Sequence, residues 1–435
     1  MAGSPSLMEP SSDTDKLSYE IFTILESKFL FGYDDSKIFL PASAPETPAK
    51  TPSSLESSPG KIRILSIDAS TDSLLAAASL VRLESSLRRL SGNPAARIAD
   101  FFDIAAGSGT GGVLAALLFT RGPDGRPLFS ADDALCFLLK TGAVCDSTGE
   151  RKGLFRRIFR RSVGMTFRKV FGNATLRDTL KPLLIPCYDL TSGAPFLFSR
   201  ADAVEADTYD FLIREVCTAT CAGRVASEMR SVDGRACIAA VGGGVAMPNP
   251  AAAAITHVLH NKQEFPFAAG VDDLIVVSLG SGEQDIAGGC ATPSTAEVVR
   301  IAGNGMADMV DQAIALAFRH HRINNYVRIQ QANGVGLRSP KCSKAASREA
   351  KMMRIEEMLS QRNGETVLFQ GRKVSKETNA EKLERLAGEL IKEQDKRSRS
   401  SIPTVFIKQA LTPRTSSATT ATTTTTSTRR SLGSP

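Results

Sequence analysis

The chain has 435 residues, 42% hydrophobic and 23% charged, with a formal net charge of +7 and a pI near 9.0. That length holds one large domain of about 250 to 300 residues plus flanking segments, or two ordinary domains, and no uninterrupted apolar run approaches the ~18 residues of a membrane span. Eight scattered cysteines and four histidines give no metal-ligand spacing, so no zinc site and no cofactor is expected, and free thiols in a reducing compartment fit. The N-terminus lacks the basic region and apolar core of a secretory signal, which points to a cytoplasmic chain, peripheral at membranes if it meets them.

In chain order, Leu17, Ile21 and Leu25 recur every four residues after a cap at Asp13 or Thr14, the pattern of a short helix. Pro41 to Gly60 is rich in Pro, Ser and Thr and carries too little apolar content to pack, so 1–60 reads as a helix followed by a disordered linker. Lys61 to Asp68 alternates as a strand, and Leu74 to Leu83 reads as the helix after it. Ala99 to Phe119 then repeats the theme: an apolar, aromatic run with the pattern of a buried strand, a glycine cluster, and a helix beginning near Val113. Ala131 to Lys140 is a further helix. Two strands are expected at Lys181 to Leu190 and Ala194 to Ser199, and a helix at Tyr209 to Cys221. Buried strands at Ala236 to Val241 and Leu274 to Leu279 each end in glycines. Charge rises beyond Arg338, with one amphipathic helix around Ala380 to Lys392. Successive strand-turn-helix units predict an α/β domain with a mostly parallel central sheet. The expected organisation is 1–60, a folded domain at 61–335, a charged helical extension at 336–411, and a disordered Thr/Ser-rich tail at 412–435.

The glycine cluster carries the chemistry. In a Gly-x-Ser-x-Gly elbow the strained turn lifts a serine oxygen clear of the sheet, while flanking glycines remove clashing Cβ atoms. Here Gly107 and Gly111 flank the turn, Gly112 follows, and the central position is Gly109. The run is not a dinucleotide loop, because no acidic residue stands at a second strand end about 20 residues on, and it lacks the lysine of a P-loop. Between Arg151 and Lys169 lie eight basic side chains and no carboxylate. If helical, Phe155 and Phe159 give this segment an apolar edge flanked by Arg156, Arg157, Arg160 and Arg161. That edge suits an anionic membrane surface, or else it is a solvated helix with its phenylalanines in the core. No recognised nucleic-acid module accompanies the basic run, so nucleic acid is not an expected partner. Nothing in the sequence specifies an oligomeric state.

These pieces resemble the patatin-like family of lipid acyl hydrolases, in particular its plant branch with glycine at the nucleophile position. The matching blocks are Ile64 to Asp68, Phe101 to Gly107 with Gly111 and Gly112, Gly243 to Val245 with Asn249-Pro250, Ser278 to Gly282, and Asn325 to Gln330. The resemblance implies a three-layer α/β/α fold and a Ser-Asp dyad acting on acyl esters of membrane lipids, phospholipids and galactolipids. It places Gly109 at the serine and Gly242 at the aspartate. The loop after Asp68 matches the family's oxyanion loop, but Ala69, Ser70, Thr71 and Asp72 stand where the family has glycines and an arginine. A serine route therefore lacks its nucleophile, its base and its donor loop. Ser108 is adjacent to the apex but should be buried or face away. Ser70, Ser73 and Thr110 are nearby hydroxyls, and Asp72 or Asp103 nearby carboxylates. Two functions follow: a lipolytic acyl hydrolase working weakly or by a modified mechanism, with Ser108 or an activated water replacing the dyad, or a catalytically inactive lipid-binding or regulatory homologue.

Overall fold

The computed structural model describes residues 60–68, 73–141, 154–223, 226–280, 295–318, 325–330, 348–367 and 371–408. All belong to the unit Ser57–Pro435. The expected N-terminal helix, the linker up to Pro59 and the Thr/Ser-rich tail lie outside the described residues.

A mixed sheet organises the chain. Strands β1 (Ile62–Asp68), β2 (Ile104–Gly107), β3 (Leu183–Asp189), β4 (Ala194–Ser199), β5 (Ser227–Arg230), β6 (Cys237–Val241), β7 (Leu274–Gly280) and β8 (Tyr326–Ile329) build it. Their order is β5-β6-β3-β2-β1-β7-β8, with β4 also paired to β3. The five strands from β3 to β8 in that order run parallel, and β4, β5 and β6 form an antiparallel edge. Side chains of a strand alternate between the two faces of a sheet, and the apolar residues here sort by parity. Leu65, Ile67, Ala105, Val277, Leu279 and Ile329 join one buried cluster, whereas Ile62, Ile64, Ile104, Leu274, Val276 and Tyr326 join the other. Strands apolar on both faces require helices on both faces.

On the first face pack α1 (Leu74–Ser91), α2 (Thr110–Phe119), α3 (Ala131–Thr141), α4 (Leu154–Phe171) and α5 (Ile213–Thr220). On the second pack α6 (Ala251–His260) and α7 (Thr295–Phe318). The result is the expected α/β/α sandwich. Among the described residues no helix is long and apolar enough to cross a membrane.

Four local expectations change. Ala99 does not begin a strand: Asp100 accepts from the Arg97 N–H at 2.8 Å and closes a helical turn at Ile98–Phe101, so β2 starts only at Ile104. The helix expected at Tyr209 to Cys221 is shorter, because Asp210 pairs through its carbonyl with Val232 and only Ile213–Thr220 winds. The segment beyond 336 holds a helix α8 (Arg348–Ser360), a hairpin of β9 (Arg362–Val367) and β10 (Gly371–Thr378), and α9 (Asn379–Ser398). A reciprocal Thr378–Glu381 cap starts α9, and its Leu383, Leu386, Ala387 and Leu390 are fully buried in the cluster that holds α1. This apolar stripe completes the core, with Lys382 and Glu393 buried beside it. Finally, Cys136, Cys187, Cys217 and Cys237 are free as expected, but Cys221 is disulfide-bonded, a juxtaposition that sequence spacing does not reveal.

Candidate functional site

The strand-to-helix elbow forms where β2 meets α2. Ser108 donates its N–H to the Ile67 carbonyl at 3.0 Å, a last ladder bond that carries β2 one residue beyond its end. Gly109 then turns the chain with φ 59° and ψ −129°, a combination that an L side chain reaches only with strain. It holds the apex. The turn is tight enough that a Cβ at Gly107 would stand 2.4 Å from the Gly111 carbonyl oxygen, and one at Gly111 would stand 2.1 Å from that of Ile67. These glycines let a helix start directly on the end of a buried strand.

Around that apex the hydroxyls are placed as follows. Ser108 is fully buried, and its Oγ has no hydrogen-bond partner among the described residues. Thr110 opens α2 at 4% exposure, and its N–H gives no hydrogen bond among the described residues. Thr220, at the end of α5, accepts the Gly109 N–H at 3.0 Å. The same Oγ1 would be 2.4 Å from a Cβ at Gly243, so Thr220 is where the elbow and the Gly242–Gly244 loop meet. The structure thus brings Gly109 and Gly242 to one place. Gly242 is itself confined: a Cβ there would stand 2.4 Å from the Ala222 carbonyl oxygen. No sequence signal singles out Thr220, since it reads as the end of an ordinary amphipathic helix.

A buried ion pair lies beside the elbow. Arg328 on β8 donates to both carboxylate oxygens of Asp68, at 2.6 and 2.7 Å, and to Ser278 Oγ at 2.7 Å. It reaches Asp68 across Gly280, where a Cβ would stand 2.6 Å from Nη2. Burial alone would lower the pKa of the Arg328 guanidinium, but the Asp68 carboxylate outweighs it and holds that pKa above its ordinary value. Alongside, Tyr326 donates its hydroxyl to Asp311, and burial followed by that carboxylate pushes the phenol well up. The ends of β1, β7 and β8 are thereby stapled into one polar band.

Other predicted positions fall elsewhere. Asp103 is not at the mouth: it precedes β2, at the opposite, N-terminal end of that strand, where Arg63 and Arg397 enclose it. Ser73 is half-buried just ahead of α1. Ala69, Ser70, Thr71 and Asp72 lie outside the described residues. The backbone from Leu154 to Phe171 is helical, as the basic run requires, and its Val163, Phe167 and Phe171 are buried at a four-residue spacing. Phe155, Arg156, Arg157, Phe159, Arg160 and Arg161 lie on that helix, with side chains outside the described residues. Among the described residues no group of three or more His, Cys, Asp or Glu side chains could hold a metal ion.

The five motif blocks converge on this end of the sheet, as β1, the elbow, the loop after β6, the end of β7 and β8. No family model matches the chain. Patatin-like protein 3 of Oryza sativa subsp. japonica is 51% identical over 402 residues, covering 90% of this chain and 94% of that protein. The chain belongs to the patatin-like family. Two further members, both from Arabidopsis thaliana, span it equally well. Patatin-like protein 7 is 48% identical over 431 residues, covering 93% of this chain and 86% of its own length. "Probable inactive patatin-like protein 9" is 39% identical over 417 residues, covering 92% and 97%. In this patatin-like chain the elbow's shape is complete while its apex carries no side chain.

Proposed function

We propose that this protein recognises acyl esters of membrane lipids, phospholipids or galactolipids, as a patatin-like member of the lipid acyl hydrolases, and that it binds them rather than turning them over by a serine route. The supporting observation is the apex: Gly109 occupies the turn that lifts a nucleophile in an active elbow, and it has no oxygen to attack with. Ser108 does not replace it, since its side chain is fully buried. Nor does Gly242 leave room for an aspartate without moving the Ala222 carbonyl. A relative at 39% identity that carries "inactive" in its name is consistent with this reading.

Slow hydrolysis by an activated water is the second reading. One observation favours it: the unengaged Thr110 N–H at the start of α2 is a donor where an acyl oxyanion would develop. Purified protein incubated with phosphatidylcholine and galactolipid vesicles separates the two. The binding reading predicts retention of acyl lipid with fatty-acid release no higher than from protein-free vesicles. Release above that background that Ser108→Ala retains supports the water route, and release that Ser108→Ala loses supports a serine route. For the membrane surface we propose the basic helix, which has the required backbone. Binding to anionic vesicles should fall with added salt and with Arg156, Arg157, Arg160 and Arg161 changed to Gln. Salt-independent binding would remove that surface from the proposal.

A further inference from the structure

The end of the sheet opposite the elbow carries its own cleft, of about 440 Å³, at the N-terminal ends of β2 and β3. Its polar lining is Asn93, Asp100, Arg126 and Lys181. We propose that this cleft binds a phosphate group, with Lys181 and Arg126 as its charged ligands.

The argument is one of charge pairing. Next to the cleft Asp103 is enclosed on both oxygens: Arg397 donates at 2.8 and 2.7 Å, and the Arg63 backbone N–H at 2.8 Å. Glu393 accepts from the Lys61 N–H at 2.6 Å and lies 3.5 Å from Arg397. Asp100 accepts from the Arg97 N–H at 2.8 Å and stands 3.9 Å from Arg126. Each carboxylate is already engaged. Lys181 alone is left over: its half-buried ammonium has neither a hydrogen bond nor an ion pair among the described residues. Burial lowers its pKa, with Asp103 and, more weakly, Asp100 opposing and Arg63 and Arg397 reinforcing the shift. An unmatched, partly desolvated cation inside a cleft is unfavourable unless an anion completes it.

The remaining groups suit a tetrahedral oxyanion. The Lys181 backbone is fixed, since its carbonyl accepts the Thr179 hydroxyl at 3.0 Å and the following Pro182 carbonyl accepts the Ala105 N–H at 3.0 Å. Arg126 is held by the Ala95 carbonyl. Asn93 uses its Oδ1 to accept from the Ala95 N–H at 3.0 Å, which leaves its amide hydrogens as donors. Lysine, arginine and an amide on three separate segments share the space with the Asp100 carboxylate, which Arg126 and the Arg97 N–H engage, and Lys is a point-charge phosphate ligand while Arg supplies a planar fork. The ligand's source is either free phosphate or the headgroup of an anionic lipid, and the site stands whether or not the elbow binds acyl chains.

Full-length protein tests it by thermal shift and calorimetry with inorganic phosphate at constant ionic strength. Phosphate should raise the Tm of the wild type. Lys181→Met should be at least as stable as wild type without phosphate, because it removes an unmatched charge, and should bind phosphate on the order of tenfold more weakly, with Arg126→Gln reduced as well. In a parallel arm, preference for phosphatidic acid over phosphatidylcholine vesicles that is lost in Lys181→Met, without a response to free phosphate, assigns the headgroup as the source. Two outcomes overturn the proposal: a wild type that responds to neither ligand, or a response that Lys181→Met and Arg126→Gln retain in full. A Lys181→Met variant that is clearly less stable without phosphate would also contradict it, since a structural lysine behaves that way.

Discussion

The elbow turn and the opposite, N-terminal end of the sheet are built by different means. At the elbow, shape comes from the main chain: Gly107 and Gly111 pass within contact of neighbouring carbonyls, Gly109 takes a positive φ, and one side chain, Thr220, holds the apex N–H. At the N-terminal end, shape comes from side chains that join distant parts of the sequence, as Arg328 and Asp68 also do beside the elbow, with Arg397 on α9 reaching Asp103 and Lys61 near the start of the sheet. A turn made by the main chain keeps its form when reactive side chains are absent. That is how the geometry of a nucleophilic site survives in a chain whose apex has no nucleophile. An end made by ion pairs has no such tolerance.

That contrast breaks most visibly at Asp103. Burial alone would raise its pKa, but Arg63 and Arg397 outweigh burial and hold the carboxylate well below the usual range. Asp103→Asn leaves Arg63 without an ion-pair partner among the described residues and Arg397 with Glu393 alone, at 3.5 Å, and should destabilise the fold by about 3–5 kcal/mol in urea unfolding at neutral pH. Because the folded pKa is depressed, this contribution is complete above the unfolded value of about 3.9 and is lost progressively as pH falls below it. Wild type and variant should therefore converge as the pH is taken below about 4. A difference that persists unchanged in acid would show that the carboxylate's charge is not what matters.

At the elbow the effects should be smaller. Thr220→Val keeps the volume but leaves the Gly109 N–H without its acceptor, an expected loss of about 1–3 kcal/mol. Gly109→Ala should cost about 1–2 kcal/mol, from the strain of a side chain at φ 59°. As a reference, Gly92 ends α1 at φ 65° and a Cβ there would meet nothing within 4 Å, so Gly92→Asn should change stability by no more than about 0.5 kcal/mol. Were Gly109→Ala as mild as Gly92→Asn, the apex would be a loose turn rather than a constrained one.

Much of this was legible in the residues. β1, β3, β4, β6 and β7 announce themselves as apolar runs closed by turn residues, and the elbow as glycines between such a run and a helix. What could not be read is pairing across the sequence. Asp68 and Arg328 are 260 positions apart, and neither shows in its own neighbourhood that the other completes it. Lys61 to Asn325 and Arg397 to Asp103 are hidden for the same reason. α9 reads as charged because charge dominates its composition, although Leu383, Leu386, Ala387 and Leu390 form a buried stripe. Local balance also misleads at Phe101, where an apolar run is turned into a helix by the single carboxylate of Asp100.

Intact-protein mass spectrometry after exposure to a fluorophosphonate probe tests the elbow most directly. A glycine apex with a buried Ser108 predicts that the wild type keeps its unmodified mass, matching Ser108→Ala. A stoichiometric adduct on the wild type that disappears in Ser108→Ala would show a reactive serine beside residue 109 and contradict the account.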